Sequence, residues 1–506
     1  LVFIGFDPAD LGRAGLTDAL RGDPVIALAG GHSHAGTEVM PLDLAALESA
    51  VRGLDAGVTG FAIAASFATR NAAHEVAARD LIRDLMGKPV TCSHELSSAL
   101  GGPKRALTAV LNARLIGMID GLIGACEGHL AHVGIDARLM VVRGDGALVS
   151  ADVAREKPIE TILSGPAASI AGASWLTGEQ DALVSDIGGT TTDVCLLQAG
   201  RPKIDSQGAR VGPYRTMVEA VAMRTTGLGG DSEVHVVDGL GGGLRLGPRR
   251  LMPIALAARD HPELVHRVLD RCLSSDVPPA DGGQFAIPIF TVLPEGLDAR
   301  ETAVATRLLN GPLRAGEAAA TRMEHPALMR LVTRGMVMIA GVTPSDASHT
   351  LGRLDVWDTN AATKALTLFA RRRIGSGDRL ASGPDAMAQM VIDQLTKQTV
   401  DCLLQAAFDE DGWPQPDVLA SHPLTMAGLS QHSGVVQVDL RLGVPVIGLG
   451  ASAAAYYVAV GERLNTRMIL PKHAGVANAI GAVVGQVAMR ASGTVTSPGA
   501  GLFAVH

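Results

Sequence analysis

The stretch Ser185-Asp186-Ile187-Gly188-Gly189-Thr190-Thr191-Thr192-Asp193-Val194 lies between two apolar runs, Ala182-Leu183-Val184 and Val194-Cys195-Leu196-Leu197. Ala199-Gly200-Arg201-Pro202 turns the chain after the second run. That pattern predicts a strand, a tight glycine turn and a returning strand. The two glycines leave backbone N–H groups uncovered, and Thr190, Thr191 and Thr192 add hydroxyls. Together they make a small cup of donors suited to phosphate oxygens. Asp186 and Asp193, one on each side, are placed to hold a hydrated Mg²⁺ against such phosphates. This is not the helix-opening phosphate loop, because no Gly-Lys-Ser/Thr follows and the turn leads into a strand. A Gly-Thr hairpin without a ligand is the plainer alternative.

A chain of 506 residues is too long for a single core, so two or more domains are expected. Hydrophobic residues make up 47% and aromatics only 3%, with 60 glycines. Such a core is built from Ala, Val and Leu with backbones close together, as in an α/β protein. The formal charge of -8 argues against a general nucleic-acid binder. Cys92, Cys126, Cys195, Cys272 and Cys402 are scattered and form no Cys-x-x-Cys pair. They suit reduced thiols in a cytoplasm better than a disulfide or zinc framework. The uncharged stretches 161–178, 444–461 and 473–489 are rich in Ala, Gly and Ser and lack flanking aromatic anchors, so buried helices are expected rather than membrane spans. The chain starts in mid-strand with Leu1-Val2-Phe3-Ile4, without Met or a cleavage signal, which predicts further residues upstream.

Along the first part, short apolar runs alternate with amphipathic stretches. Helices are expected over 45–54, 73–85 and 105–131, and strands over 58–66, 90–94 and 139–142. Ser164-Gly165-Pro166-Ala167-Ala168 starts a small-residue helix. Past the hairpin, Gly227-Leu228-Gly229-Gly230-Asp231-Ser232 is a second glycine turn, and 239–243 a third. Residues 308–341 suggest a small helical insertion. Thr343-Pro344-Ser345-Asp346 caps a helix with Pro at its first position. Pro445-Val446-Ile447-Gly448-Leu449-Gly450-Ala451 is a strand running into a glycine turn, and a last small-residue helix begins at His473-Ala474-Gly475.

The order of these parts resembles the actin-like ATPase and sugar-kinase superfamily. Within it, the chain is similar to the hydantoinase/oxoprolinase A-type subunits. That likeness rests on Phe67 to His74-Glu75, Ser164–Ala168, Asp186–Val194, Thr343–Ala347, and Pro471 with His473-Ala474-Gly475, in that order and over nearly the whole chain. The resemblance implies an α/β, actin-like (ribonuclease H-like) architecture of two halves, with mixed sheets flanked by helices and a small helical insertion near 290–345. Residues 1–180 would be the remainder of the first half and 181–506 the second. The resemblance makes 186–193 the second phosphate hairpin, 447–451 the adenosine turn, and 164–174 and 475–485 two connecting helices of a hinge. It further implies ATP and Mg²⁺ as cofactors. Asp186 and Asp193 would serve as metal-holding catalytic residues, with Gly188, Gly189, Thr190, Thr191, Thr192, Gly229, Gly230, Asp231, Gly448, Gly450 and Ala451 around the nucleotide. The reaction it implies is ATP-driven opening of a cyclic amide in the cytoplasm, with a B-type partner subunit in an oligomer. A ketone carboxylase subunit and a non-hydrolytic ATP switch are the alternatives. Two features depart from the family: no first Asp-Gly-Gly-Thr hairpin precedes Leu1, and Asp231 stands where many members have glycine.

Other polar residues carry weaker signals. Gly30-Gly31-His32-Ser33-His34 offers two imidazoles, read as a solvated loop before a metal pair. His74-Glu75 lacks the second His of His-Glu-x-x-His and is expected to cap or pack its helix. Glu219 and the Arg249-Arg250 pair are expected to be surface charge.

Overall fold

The computed structural model describes residues 1–506 except 55, 56, 238, 240–242, 489–494, 500 and 506. Most of the expected third glycine turn therefore lies outside the described residues. The fold is α/β, with mixed sheets and flanking helices. It divides into two compact units: Leu1–Trp175 with Gly200–Ala222 and Ala477–His506, and Leu176–Ala199 with Met223–Val476.

The first unit is built on four parallel strands in the order Ile26–Leu28, Val2–Ile4, Phe61–Ala65, Val90–Cys92. Successive side chains of a strand point to opposite faces, and both faces here are covered. Val2, Ile4, Phe61, Ile63 and Ala65 pack against Leu47 and Val51 of the helix Leu44–Arg52 and Ala78 and Ile82 of the helix Ala73–Met86. Phe3, Ala62 and Ala64 pack on the other side, against Leu16–Leu20 and the first turns of Gly102–His132. By length and composition this last helix is apolar enough to cross a membrane. Its buried face nevertheless carries Arg105, Thr108 and Asn112, each hydrogen-bonded within the unit, which is the chemistry of a core helix. Of the three uncharged stretches, 161–178 forms the helix Ser164–Thr177 and 473–489 contains the helix Ala477–Val484. The third, 444–461, is a strand followed by short turns of helix.

Small residues let these two helices touch backbone to backbone. A Cβ on Gly172 would lie 2.0 Å from the Ala477 carbonyl oxygen, and one on Gly481 1.8 Å from that of Ala168.

The second unit holds a mixed sheet in the order Met223–Thr226, Thr192–Gln198, Ala182–Ile187, Val446–Leu449, Met468–Ile469. A second sheet joins Met252–Pro253, Val337–Gly341, Phe285–Pro288 and Leu313–Arg314. The long helix Pro384–Glu410 buries Met387, Val391, Leu395 and Leu403 in the core that also takes Leu183, Val194 and Val446. Around 290–345 the helices Ala299–Leu308, Ala315–Ala318 and His325–Thr333 share a small core of their own with the second sheet. The expected helical insertion thus also contains strands. Thr343 caps Pro344–Thr350 in a reciprocal capping box with Asp346.

Candidate functional site

The hairpin forms as its sequence predicts. Ala182–Ile187 pairs antiparallel with Thr192–Gln198, and Asp186 stands directly opposite Asp193. The turn between them is closed by the Gly188 N–H donating to the Thr191 carbonyl at 2.9 Å. Gly188 and Thr190 are exposed, and Gly189 and Thr191 half-buried.

A second turn is strapped to the first. The Gly230 N–H donates to the Gly188 carbonyl at 3.0 Å, and the Asp231 N–H to the Gly189 carbonyl at 2.8 Å. Only glycine permits this approach at 229: a Cβ there would sit 2.5 Å from the Gly189 oxygen. Gly450 closes a third side in a left-handed conformation (φ +112°), where a Cβ would meet the Ile187 oxygen at 2.1 Å. Residues far apart in sequence therefore line one patch with backbone rather than side chain. Ala451 is exposed beside it. Ser345 and Ser452, which no pattern in the sequence marks as site residues, lie 3.1 and 3.7 Å from where a Gly230 Cβ would be.

Asp193 carries the clearest electrostatic signal. Its Oδ1 is buried and has no hydrogen-bond partner. Its carboxyl is pushed above the usual range, chiefly by burial; the Thr225 hydroxyl pulls it back, and the Asp186 charge adds to the rise. An unpartnered buried carboxylate oxygen opposite a second aspartate is a donor set that fits Mg²⁺, since a cation would favour both charged forms.

Three of the sequence-derived assignments change. The Thr192 hydroxyl is fully buried and donates to the Leu228 carbonyl at 2.7 Å, so its proton is already committed. Gly448 lies inside the sheet, where a Cβ would press on Leu470 and Tyr457, so its role is packing. Asp231 is buried, and its Oδ2 accepts from Arg250 Nη2 at 3.0 Å and its Oδ1 from Ser345 Oγ at 3.1 Å. Its carboxylate braces the turn and positions Arg250, the cation beside Gly189.

Arg249 and Arg250 are accordingly not idle surface charge. The first is bidentate with Glu233, at 2.6 and 2.7 Å, and the second holds Asp231. A sequence signal exists for both: acids at 231 and 233 and bases at 249 and 250 flank a turn, as an antiparallel strand pair requires.

In the first unit His32 is buried rather than solvated, its ring 4.4 Å from that of His74. His74 and Glu75 are both buried; they pack the helix Ala73–Met86 and make no N-terminal cap. Glu219 is exposed as expected.

Comparison with known proteins bears on this geometry. Residues 10–86 match the hydantoinase/oxoprolinase N-terminal region and residues 105–264 the hydantoinase/oxoprolinase domain, which contains the hairpin. The chain is 29% identical over 233 residues to the acetophenone carboxylase gamma subunit of Aromatoleum aromaticum and 30% identical over 221 residues to the caprolactamase subunit alpha of Pseudomonas jessenii. Each match takes in 42% of this chain, but only 30% and 31% of those relatives. A 5-oxoprolinase of Saccharomyces cerevisiae is 28% identical over 163 residues, 30% of this chain and 12% of that protein. Among solved structures, nucleotide-free acetone carboxylase has a TM-score of 0.55 at 17% identity, covering 96% of this chain and 58% of that one. The ATP-dependent caprolactamase from Pseudomonas jessenii has 0.57 at 18%, covering 95% and 58%. At these identities the likeness is one of fold.

Proposed function

We propose, since the chain belongs to the hydantoinase/oxoprolinase family, that it is part of an ATP-dependent enzyme that opens a cyclic amide after phosphate activation of the carbonyl. The observation that carries this reading is the backbone-lined cup of Gly188, Gly189, Gly229 and Gly230, beside the opposed pair Asp186 and Asp193. A lactam carbonyl is a poor electrophile, and phosphate on its oxygen makes the carbon open to water. The protein's share is then placement and charge stabilisation of the phosphoryl group.

In this reading the N–H groups around Gly188–Thr191 and the Thr190 and Thr191 hydroxyls hold phosphate oxygens, and Arg250 neutralises part of their charge. Gly230, Gly450 and Ala451 admit the nucleotide close to the backbone. Asp186 and Asp193 would hold Mg²⁺, which supplies charge neutralisation between phosphates when bound. The architecture is taken to be actin-like, and the working unit an oligomer with a B-type partner subunit in the cytoplasm. The match to a carboxylase gamma subunit favours a second reading, in which a ketone, phosphorylated on its enol oxygen, attacks a bicarbonate-derived carboxyl group through its α-carbon and releases phosphate.

The test is ATP hydrolysis by the intact protein with hydantoin, 5-oxoproline or caprolactam, against acetophenone with bicarbonate. Stimulation by a cyclic amide, abolished by Asp186→Asn with melting temperature retained, is the expected result. Stimulation by the ketone alone would select the carboxylase reading. Nucleotide binding with neither response would leave an ATP switch.

A further inference from the structure

The parallel sheet of the first unit ends on a cluster of chemically capable side chains that the nucleotide reading leaves unused. In open α/β sheets ligands bind outside the carboxyl ends of the strands, beside the strand pair where the order reverses. Here that pair is Val2–Ile4 and Phe61–Ala65. Beyond these ends lie Gly5, Gly31 and Ser66, so close that a Cβ on Gly31 would be 3.0 Å from Ser66 Cβ and 3.4 Å from Gly5 Cα. His32 and His94 follow the flanking strands Ile26–Leu28 and Val90–Cys92 on the same edge.

His94 is held in one tautomer by a buried carboxylate. Glu75 is fully buried, and its Oε1 accepts from the Ala65 N–H at 2.7 Å and the Ser93 hydroxyl at 2.6 Å. Its Oε2 accepts from the His94 N–H at 3.0 Å and faces His94 Nδ1 at 2.6 Å. An ionised carboxylate only accepts, so Nδ1 must carry the ring proton, leaving the neutral ring a lone pair on Nε2. The His94 side chain is 21% exposed, which leaves it accessible. Cys92 completes a possible three-ligand group with Glu75 and His94. A metal there is disfavoured, because every lone-pair direction of Glu75 is taken, Nδ1 is protonated, and burial pushes the Cys92 thiol up, away from thiolate.

A second observation points to a ligand on the same edge. His32 is 3% exposed, and its Nδ1 has no partner. Its neighbour His74 is fully engaged, accepting from the Gly31 N–H at 2.9 Å and meeting Glu38 at 2.8 Å. On the facing loop, Thr69 Oγ1 and Arg70 Nε and Nη1 are likewise buried without partners. Unpaired buried polar atoms are costly, so several in two adjoining loops signal a polar occupant.

We propose that this carboxyl edge binds the small organic substrate, a cyclic amide whose N–H donates to His94 Nε2 while the loop donors meet its carbonyl oxygen. The proposal rests on the ring-opening reading for the identity of the ligand and on the geometry for the place.

Carbethoxylation of the intact protein by diethyl pyrocarbonate, followed residue by residue by mass spectrometry, tests it. His94 should react through Nε2. Hydantoin, 5-oxoproline or caprolactam, at ten times its Kd and without nucleotide, should slow that reaction about tenfold. His94→Asn, whose side-chain amide can still donate to Glu75 but lacks the Nε2 lone pair, should keep most of the melting temperature and lose the binding. Protection by acetophenone alone would keep the site and overturn the ring-opening reading. Unchanged His94 reactivity with all four compounds would overturn the site, even if one of them stimulates ATP hydrolysis.

Discussion

The two units solve the same problem, presenting polarity at the end of a sheet, with opposite materials. In the second unit the patch around Gly188, Gly229 and Gly450 is almost bare backbone, and Gly229 and Gly450 each admit a neighbour that a Cβ would displace. In the first unit the edge is made of side chains, with Glu75 fully buried and collecting four donors. Backbone N–H groups suit a ligand rich in identical acceptor oxygens, such as phosphate. Oriented imidazoles and an arginine suit a ligand that both donates and accepts. The contrast supports a division of labour in which one unit grips the nucleotide and the other reads an organic molecule.

The sharpest way to break the comparison is Glu75→Ala. It removes one carboxylate, strands the Ala65, Ser93 and His94 donors and takes away the negative charge near the buried Arg105, so a loss of about 4 kcal/mol is expected in denaturant unfolding. A loss under about 1 kcal/mol would mean that water replaces the carboxylate and that the edge is loosely built.

Gly229→Ala attacks the other material. The added methyl meets two carbonyl oxygens, those of Gly188 and Gly189, at 2.6 and 2.5 Å. Backbone must shift, so about 3 kcal/mol of stability should go, along with nucleotide binding. If binding measured by calorimetry survives, the strap between the two turns is not part of the site.

A smaller effect is expected from Arg250→Ala. Its side chain is about half exposed, at 52%, so folding should barely change. Loss of one phosphate-facing cation should weaken ATP about tenfold, or about 1.4 kcal/mol. Equal affinities for wild type and variant would confine Arg250 to bracing Asp231.

How far the amino-acid sequence alone reveals these two sites differs from segment to segment, and the reasons are physical. The hairpin is legible because its signals are local: an apolar run on each side of a glycine turn, within one short window. The capping box at Thr343–Asp346 is local for the same reason. Yet Asp346 also accepts from the Ile254 and Ala255 N–H groups, at 3.2 and 2.8 Å, and is pushed up to about 6 by burial. No spacing in the sequence announces partners so distant. Thr192 illustrates the opposite failure. A threonine in a glycine turn reads as a phosphate donor, but strand alternation turns its side chain inward to Leu228. His32 escapes a reading by spacing, because a polar residue after a strand looks solvated until tertiary packing closes over it.

The smallest effect concerns Asp193 and pH. Burial raises its carboxyl above the ordinary range, against the Thr225 hydroxyl and with the help of Asp186. A raised pKa means that the protonated form is the one folding favours. Its contribution to stability is therefore present below the ordinary aspartate value and fades as pH rises through the higher folded value. Cation binding runs the other way, because a ligand for Mg²⁺ must first lose its proton. Affinity for Mg²⁺-ATP should accordingly begin to fall at a pH above the usual carboxylate range, with proton release on binding. Calorimetry in two buffers of different ionisation enthalpy measures that release. Asp193→Asn should abolish it and flatten the pH dependence, while leaving the apo protein slightly more stable near neutral pH. The first unit offers the control, since nothing at its carboxyl edge should alter proton release on nucleotide binding. If His94→Asn removes the release instead, the division between a backbone-built nucleotide site and a side-chain-built organic site fails.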